Sequence, residues 1–486
     1  MVVLNVPVVD PIAAKLVESF PFHNAVCVDG KLLGSLWVIS QIRNTLPVIH
    51  GPVGCSWQRR CALMGPVVHY YTPCTAWTEF EVIYGGEKKL ADALVEAYKR
   101  YNPDMIVVLT TCASDLIGDD VEAAIETAKQ RGVKCPIVYS TGLKAGKFRQ
   151  VGSQDVLLSI VEQYVLPETE GHDIEEGTVN LMVIGGEYSI GIRQELAPLL
   201  KMCGVKVNKI YFTDVTVQDL LDLAHVELNI VPYTQLWANL LEQKRGIKTH
   251  VLCRFESSDI SEAYPIGVEA CKNQLVKIID KLPVKNVDPE KVFYTFYEKE
   301  IDTINKLRSQ LAGKRVVIEN PWGPEILLAL EFNLSIVGVI FWTHQFRSHG
   351  MSEKVVQEYI SSVQAMLQSM GYDVNIIVDE PLEQVIEKVK RLSPDLVMCA
   401  WWSRQYEYDR AGLRTISMRQ FHLFFDYGLR NLVRAGEKIL KAINSKIVDR
   451  PIIPRTSASF PDLQYLPTPW DALAKLFYLS RYVWAE

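Results

Sequence analysis

Short runs of apolar, largely β-branched residues recur along the chain, each followed by a stretch in which apolar positions fall three and four apart. Leu46-Pro47-Val48-Ile49 and Met105-Ile106-Val107-Val108-Leu109 are the first two runs and read as strands. A helix over about Asp119 to Arg131 would carry Val121, Ala124 and Ile125 on one face, and Pro136-Ile137-Val138-Tyr139 supplies the next strand. A second set opens with Val179 to Ile184 and a helix through Leu200, then strands near Val205 to Phe212, Leu228 to Val231 and His250 to Arg254. A charged helix from about Asp288 to Ala312 leads to a third set, with strands at Lys314 to Glu319, Val374 to Val378 and Asp395 to Cys399. Alternation of short β runs with helices predicts an α/β protein of three Rossmann-like, doubly wound parallel-sheet subdomains. The acidic, glycine-bearing break Pro167 to Gly177 sets the first boundary, giving subdomains over 1–175, 176–290 and 291–450. The proline- and aromatic-rich tail 451–486 is expected to wrap a partner surface.

A chain of 486 residues is too long for one small core. Its net charge of −6 argues against a nucleic-acid surface, which wants a basic face. The longest mostly apolar run, Leu334 to Trp342, falls far short of the roughly 20 residues a membrane helix needs. Met1 to Pro7 lacks the basic start of a signal peptide, so a cytoplasmic location is expected. In that reducing compartment the ten cysteines are ligand or core thiols rather than disulfides.

Two glycine patterns bear on nucleotides. Gly185, Gly186 and Gly191 lack the G-x-G-x-x-G spacing and read as a tight strand-to-helix turn. No G-x-x-x-x-G-K-[ST] occurs, so ATP hydrolysis by this chain is not expected.

The chemistry points instead to sulfur. Cys55, in His50-Gly51-Pro52-Val53-Gly54-Cys55, and Cys112, in Thr110-Thr111-Cys112, both follow strand runs closely. Carboxyl ends of strands are where open α/β sheets place ligands. Cys27, in Val26-Cys27-Val28-Asp29-Gly30, is a third candidate. The three lie tens of residues apart, unlike the paired C-x-x-C of structural zinc sites. Such thiolates suit a large inorganic body gripped from several sides, with iron-sulfur clusters, copper(I) or zinc as the soft choices. A cluster commonly takes about four protein ligands, so three imply that a partner chain completes the set. Local pattern alone leaves each of the three equally readable as a buried core thiol, and Cys61, Cys74, Cys135, Cys203, Cys271 and Cys399 are read as core.

The ordered combination of His50 to Cys55, Gly85-Gly86-Glu87-Lys88-Lys89-Leu90, and Thr111-Cys112 with Ile117-Gly118-Asp119-Asp120 resembles the component 1 family of nitrogenases and nitrogenase-like reductases. The resemblance covers nearly the whole chain, more loosely beyond Gly313. It implies that Cys27, Cys55 and Cys112 hold half of a P-cluster-type iron-sulfur cluster shared with a homologous sister subunit in an α2β2-type heterotetramer. It further implies an ATP-dependent iron-sulfur reductase protein as electron donor, a small-molecule substrate, and a second complex iron-sulfur cofactor somewhere in the assembly. Arg59 and Arg60 would then be candidate donors to the cluster's negative charge, with solvated surface arginines an equal reading.

Departures narrow the choice of member. Gly186 to Gly191 resembles the cofactor-bearing subunit or its assembly scaffold, whereas Pro265-Ile266-Gly267-Val268-Glu269-Ala270 resembles the partner subunit. Pro232 stands where the cofactor-bearing subunit has its ligand cysteine. Cys253 and His422 are the substitute pair, each with a core or helix-flank reading beside it. Lys147 to Ser153 lacks the histidine that nitrogenases place near dinitrogen. These features favour a nitrogenase-like reductase, with reductive C–S cleavage of methylthio-alkanes the closest candidate activity, over a cofactor-assembly scaffold or a divergent nitrogenase subunit.

Overall fold

A computed structural model describes residues 31–56, 72–141, 149–183, 190–211, 215–254, 263–348, 352–399, 405–417 and 426–445. Cys27, Arg59, Arg60, Cys61, His422 and the tail 451–486 lie outside the described residues.

The first third runs α1 (Lys31–Ile39), β1 (Thr45–His50), α2 (Glu79–Tyr84), α3 (Glu87–Tyr101), β2 (Met105–Thr110), α4 (Cys112–Ile117), α5 (Val121–Gln130), β3 (Ile137–Ser140) and α6 (Arg149–Ile160). Its three strands are parallel in the order β1-β2-β3, with His50 opposite Thr110. Every residue of β1 and β2 is buried, as expected of a parallel sheet covered on both faces. Side chains alternate between those faces. Val48, Ile106 and Val108 pack with Leu90 and Leu94 of α3 and Ile125 of α5, while Ile49, Val107 and Leu109 meet Val156 and Ile160 of α6.

The second sheet comprises β4 (Glu175–Met182), β5 (Lys206–Tyr211), β6 (Val226–Tyr233) and β7 (Lys248–Cys253), parallel in the order β5-β4-β6-β7. The third comprises β8 (Arg315–Glu319), β9 (Ser335–Phe341), β10 (Asn375–Val378), β11 (Leu396–Cys399) and β12 (Thr415–Ser417), parallel in the order β10-β9-β8-β11-β12. Helix α7 (Pro324–Glu331) follows β8, and α8 (Arg430–Asn444) closes the described chain. The α/β class with three parallel sheets flanked by helices is as the apolar runs predict.

Two differences have physical reasons. The apolar run Leu334 to Trp342, weighed above only against a membrane span, contains β9, buried at every position but its first. The expected single helix over 288–312 is two, Pro289–Phe296 and Glu298–Leu311. Tyr297 breaks it at φ −106 and ψ 17, which turns its fully buried ring onto Phe293 and Phe296, with centroids 4.9 and 4.8 Å away.

One apolar core runs through all three sheets. Residues Met1–Ile443 form one compact unit and Asn444–Glu486 a second. Distant segments are stitched inside the first unit. Asp426 accepts from the main-chain N–H of Gly191 and of Ile192, both at 3.1 Å, and Glu195 accepts from Leu429 N–H at 2.9 Å and Arg430 N–H at 3.2 Å. A Cβ on Gly191 would fall 1.7 Å from the Tyr427 carbonyl oxygen, so this glycine permits chain-on-chain packing. Gly185 and Gly186 lie outside the described residues. Among the described residues no helix is long and apolar enough to cross a membrane.

Candidate functional site

Because β1 and β2 are neighbours in register, the loops that carry Cys55 and Cys112 leave the sheet side by side. The chain turns at Gly51, where a Cβ would lie 2.3 Å from Thr111 Oγ1; only a glycine lets the two loops approach so closely. Residues 53–56 then make one helical turn, with Cys55 N–H donating to the Pro52 carbonyl at 3.1 Å. Cys55 is half-buried against the core, and a Cβ on neighbouring Gly54 would meet nothing within 4 Å. Cys112 opens α4 and is exposed. Thr111 caps that helix: its Oγ1 accepts from Ser114 N–H, and the Ser114 hydroxyl returns to Thr111.

His50, fully buried at the last position of β1, joins these loops. Its carbonyl accepts from the Thr111 hydroxyl at 3.1 Å and the Ser114 hydroxyl at 2.9 Å. Its imidazole Nε2 lies 2.8 Å from Asp119 Oδ2, and Nδ1 lies 3.2 Å from Thr75 Oγ1. Asp119 Oδ2 also accepts from Gly86 N–H at 2.9 Å. Glu87 Oε1 accepts from Asp120 N–H at 3.0 Å. The three sequence motifs, 50–55, 85–90 and 117–120, are thus one hydrogen-bonded unit. Burial holds the His50 imidazole below its ordinary pKa, against the opposing pull of Asp119, so it is neutral near pH 7. The tautomer follows from its neighbours. An ionised carboxylate only accepts, so Nε2 carries the proton, and Nδ1 accepts from the Thr75 hydroxyl, whose oxygen receives Gly51 N–H at 2.9 Å. The Trp77 ring stands edge-on to His50 with centroids 5.1 Å apart.

Helix α2, Glu-Phe-Glu-Val-Ile-Tyr, is built inside out. Phe80, Val82, Ile83 and Tyr84 are 63%, 51%, 69% and 72% exposed, whereas Glu81 is its one buried residue. Glu81 is drawn inward because its carboxylate accepts from Thr78 N–H at 2.6 Å and meets Lys89 Nζ at 3.0 Å. Those contacts hold its carboxyl down to about 2. Leu116 of α4 is 74% exposed and Val53 62%, extending the apolar surface past both thiol loops. Apolar exposure concentrated on one short helix is unusual for a solvated face and suits an interaction surface.

The model of the nitrogenase component 1 type oxidoreductase family matches residues 31–443. The chain belongs to that family. It is 28% identical over 298 residues to the nitrogenase iron-molybdenum cofactor biosynthesis protein NifE of Nostoc sp., covering 59% of this chain and 58% of that protein. It is 25% identical to the nitrogenase molybdenum-iron protein alpha chain of Methanosarcina barkeri, over 58% of this chain and 53% of that one. The match therefore spans less than two thirds of these relatives' length. A solved structure described as nitrogenase Cp1 at pH 6.5 shares the fold, with a TM-score of 0.59, 18% identity, and coverage of 85% of this chain and 92% of that one.

In this component 1 type chain, Cys55 and Cys112 are two soft donors at adjacent strand ends, a set that fits a sulfur-ligated cluster better than a hard cation. Among the described residues, no group of three or more His, Cys, Asp or Glu side chains forms a cage for a metal ion. Cys203, Cys271 and Cys399 are fully buried in apolar surroundings, as their core reading requires. Cys253, at the end of β7, is fully buried too, and burial drives its thiol far up, which keeps it protonated. Cys74 differs from its core reading. It is half-buried beside the site, its thiol donating to the Gly51 carbonyl at 3.3 Å while Ala76 N–H donates to its sulfur at 3.4 Å.

Sequence reasoning missed His50, Asp119, Thr75 and the exposure of α2. His50 and Asp119 stood inside quoted motifs, and a histidine that ends one strand run, with a carboxylate in the turn after the short helix following the neighbouring run, is a signal that would have paired them.

Proposed function

We propose that this chain is one subunit of a nitrogenase-like reductase, in which Cys27, Cys55 and Cys112 hold half of an iron-sulfur cluster completed by a homologous sister subunit. The observation that carries the reading is the placement of two thiols, Cys55 and Cys112, after neighbouring strand ends beside an inside-out apolar helix. When bound, a cluster of this type supplies reversible electron storage. The chain's own task is to hold it. Strands β1 and β2 fix the two loops, Gly51 and Gly54 leave room for close approach, and the His50 network keeps the loops in register. Val53, Phe80, Ile83, Tyr84 and Leu116 offer apolar area that two protein partners, the sister subunit and an ATP-dependent reductase, would cover.

The substrate reading is reductive cleavage of the C–S bond of a methylthio-alkane. Pro232, which has no ligand atom, and the core position of Cys253 support a substrate site unlike that of a dinitrogen-reducing subunit. A second reading, a scaffold on which nitrogenase cofactor is assembled, is favoured by relatives named as cofactor biosynthesis proteins. Anaerobic co-purification with the sister subunit should give a brown complex containing iron and acid-labile sulfide. A folded but colourless complex ends the cluster reading. Reductase, ATP and dithionite should then release methanethiol from a methylthio-alkane, whereas a scaffold would carry iron and release none.

A further inference from the structure

Four separate segments meet at His50. Its carbonyl holds the Cys112 helix through Thr111 and Ser114, and its imidazole reaches Thr75 on one side and Asp119 on the other. Asp119, 2% exposed at its side chain, is the terminal acceptor of that chain of bonds. From Gly51 N–H the donors run to Thr75, to His50 and to Asp119, and Gly86 N–H arrives at the same carboxylate from the turn that ends α2. We propose that Asp119, acting through His50, is a positioning residue for the Cys55 and Cys112 loops and ties both to the exposed helix α2.

The geometry makes the link direct. Asp119 Oδ2 accepts from two donors, His50 Nε2–H at 2.8 Å and Gly86 N–H at 2.9 Å, so replacing the residue with Ala takes the acceptor from both. The imidazole then has no oxygen to hold its Nε2–H in place, and Thr75 loses the acceptor that orients its hydroxyl toward Nδ1. The Gly51 peptide moves with Thr75, and Cys55 follows four residues on. On the other side, the Thr111 and Ser114 hydroxyls transmit any shift of the His50 carbonyl to the first turn of α4, which begins at Cys112. Because the Gly85–Gly86 turn is fixed by the same carboxylate, pressure on Ile83 and Tyr84 reaches the thiol loops through one side chain.

That the loops carry a cluster rests on the function proposed above, while the mechanical link does not, and the test separates the two. In the complex with the sister subunit, hydrogen exchange would be followed in peptides covering 50–56 and 111–118, alongside iron retention under chelator challenge and the electron paramagnetic resonance line shape. Asp119→Ala and His50→Leu should speed exchange in both peptides about tenfold, the signature of local opening. Both should also lose iron about tenfold faster and broaden the resonance. His50→Gln, whose amide can still donate to Asp119, should stay near wild type in all three. Leu241→Ala, a buried change in the second sheet, should lower the melting temperature without altering exchange in either peptide. Unchanged exchange in a folded Asp119→Ala complex overturns the link, as does an equal effect from Leu241→Ala. A wild-type complex without iron sinks the cluster reading instead, and the exchange measurement still decides the link.

Discussion

At the end of β1, His50 distributes its bonds to loops that carry the Cys55 and Cys112 thiols and lie beside an exposed apolar helix. At the end of β8, Glu319 occupies the same position on its strand and is also fully buried, but everything around it is closed. Glu319 Oε1 accepts from Trp342 Nε1 at 2.8 Å and from the Tyr408 hydroxyl at 3.3 Å, and Asn320 accepts from Trp342 N–H at 2.9 Å. The following turn is pinned by hydroxyls of Tyr264 on the Trp322 carbonyl and Tyr359 on the Pro321 carbonyl, at 2.8 and 2.9 Å. Two buried polar residues, one ending an edge strand and one ending a central strand, thus diverge in what surrounds them. Among the described residues, the third sheet holds Glu319 and Asn320 against buried partners at this end and exposes no large apolar side chain there. The first sheet presents Cys112 and the apolar side chains of α2 at the surface, as the role proposed for this end requires.

The sharpest way to break that contrast is at the thiols. Cys55→Ala should abolish iron and sulfide in the purified complex, while Cys399→Ala, at the end of β11, should leave both intact; equal iron in the two would erase the distinction between open and sealed ends. Next in size is a pH effect at the sealed end. Burial pushes the Glu325 carboxyl from 4.5 up to about 7, so the folded chain keeps a proton that the unfolded chain releases. The stability this group contributes is full below pH 4.5 and is lost as pH rises through about 7, a swing of about 3 kcal/mol. Denaturant titrations of Glu325→Gln should lack that component, and an identical pH slope in both proteins would refute it.

Smaller effects sharpen the same comparison. Trp342→Phe removes a donor from buried Glu319 and should cost about 2 kcal/mol in chemical denaturation, with iron content unchanged. At the open end the outcome reverses. Ile83→Asp should leave the melting temperature near wild type, because the side chain is 69% exposed, and weaken association with a protein partner about tenfold, or ~1.4 kcal/mol. Sedimentation or surface binding would read this, and undiminished affinity would mean that α2 is not a contact.

Strands were legible wherever tertiary burial demanded continuous apolar residues. Val107 and Val316 announce themselves because both faces of their sheets are covered. Thr415–Ser417 did not, since three residues paired only to β11 carry no pattern of their own. The break at Tyr297 was invisible because the charged residues on either side keep helical spacing, and only the aromatic packing inside decides where the helix stops. At the candidate site, the thiols were legible from their distance to strand runs. The His50 to Asp119 bond was not, because it joins positions 69 residues apart whose pairing depends on strand order. The inversion of α2 was hidden for a related reason: a six-residue Glu-Phe-Glu-Val-Ile-Tyr stretch reads as a core helix until Thr78 and Lys89 are seen to pull Glu81 inward.

The bonds from Asp426 to Gly191 and from Glu195 to Leu429 join segments more than two hundred residues apart and bear on biosynthesis. A ribosome must extend well past α8 before the helix that begins near Gly191 can seat its carboxylate and glycine against their mates. Until then those groups lack their partners, so this part of the interior is completed only by late-synthesised residues.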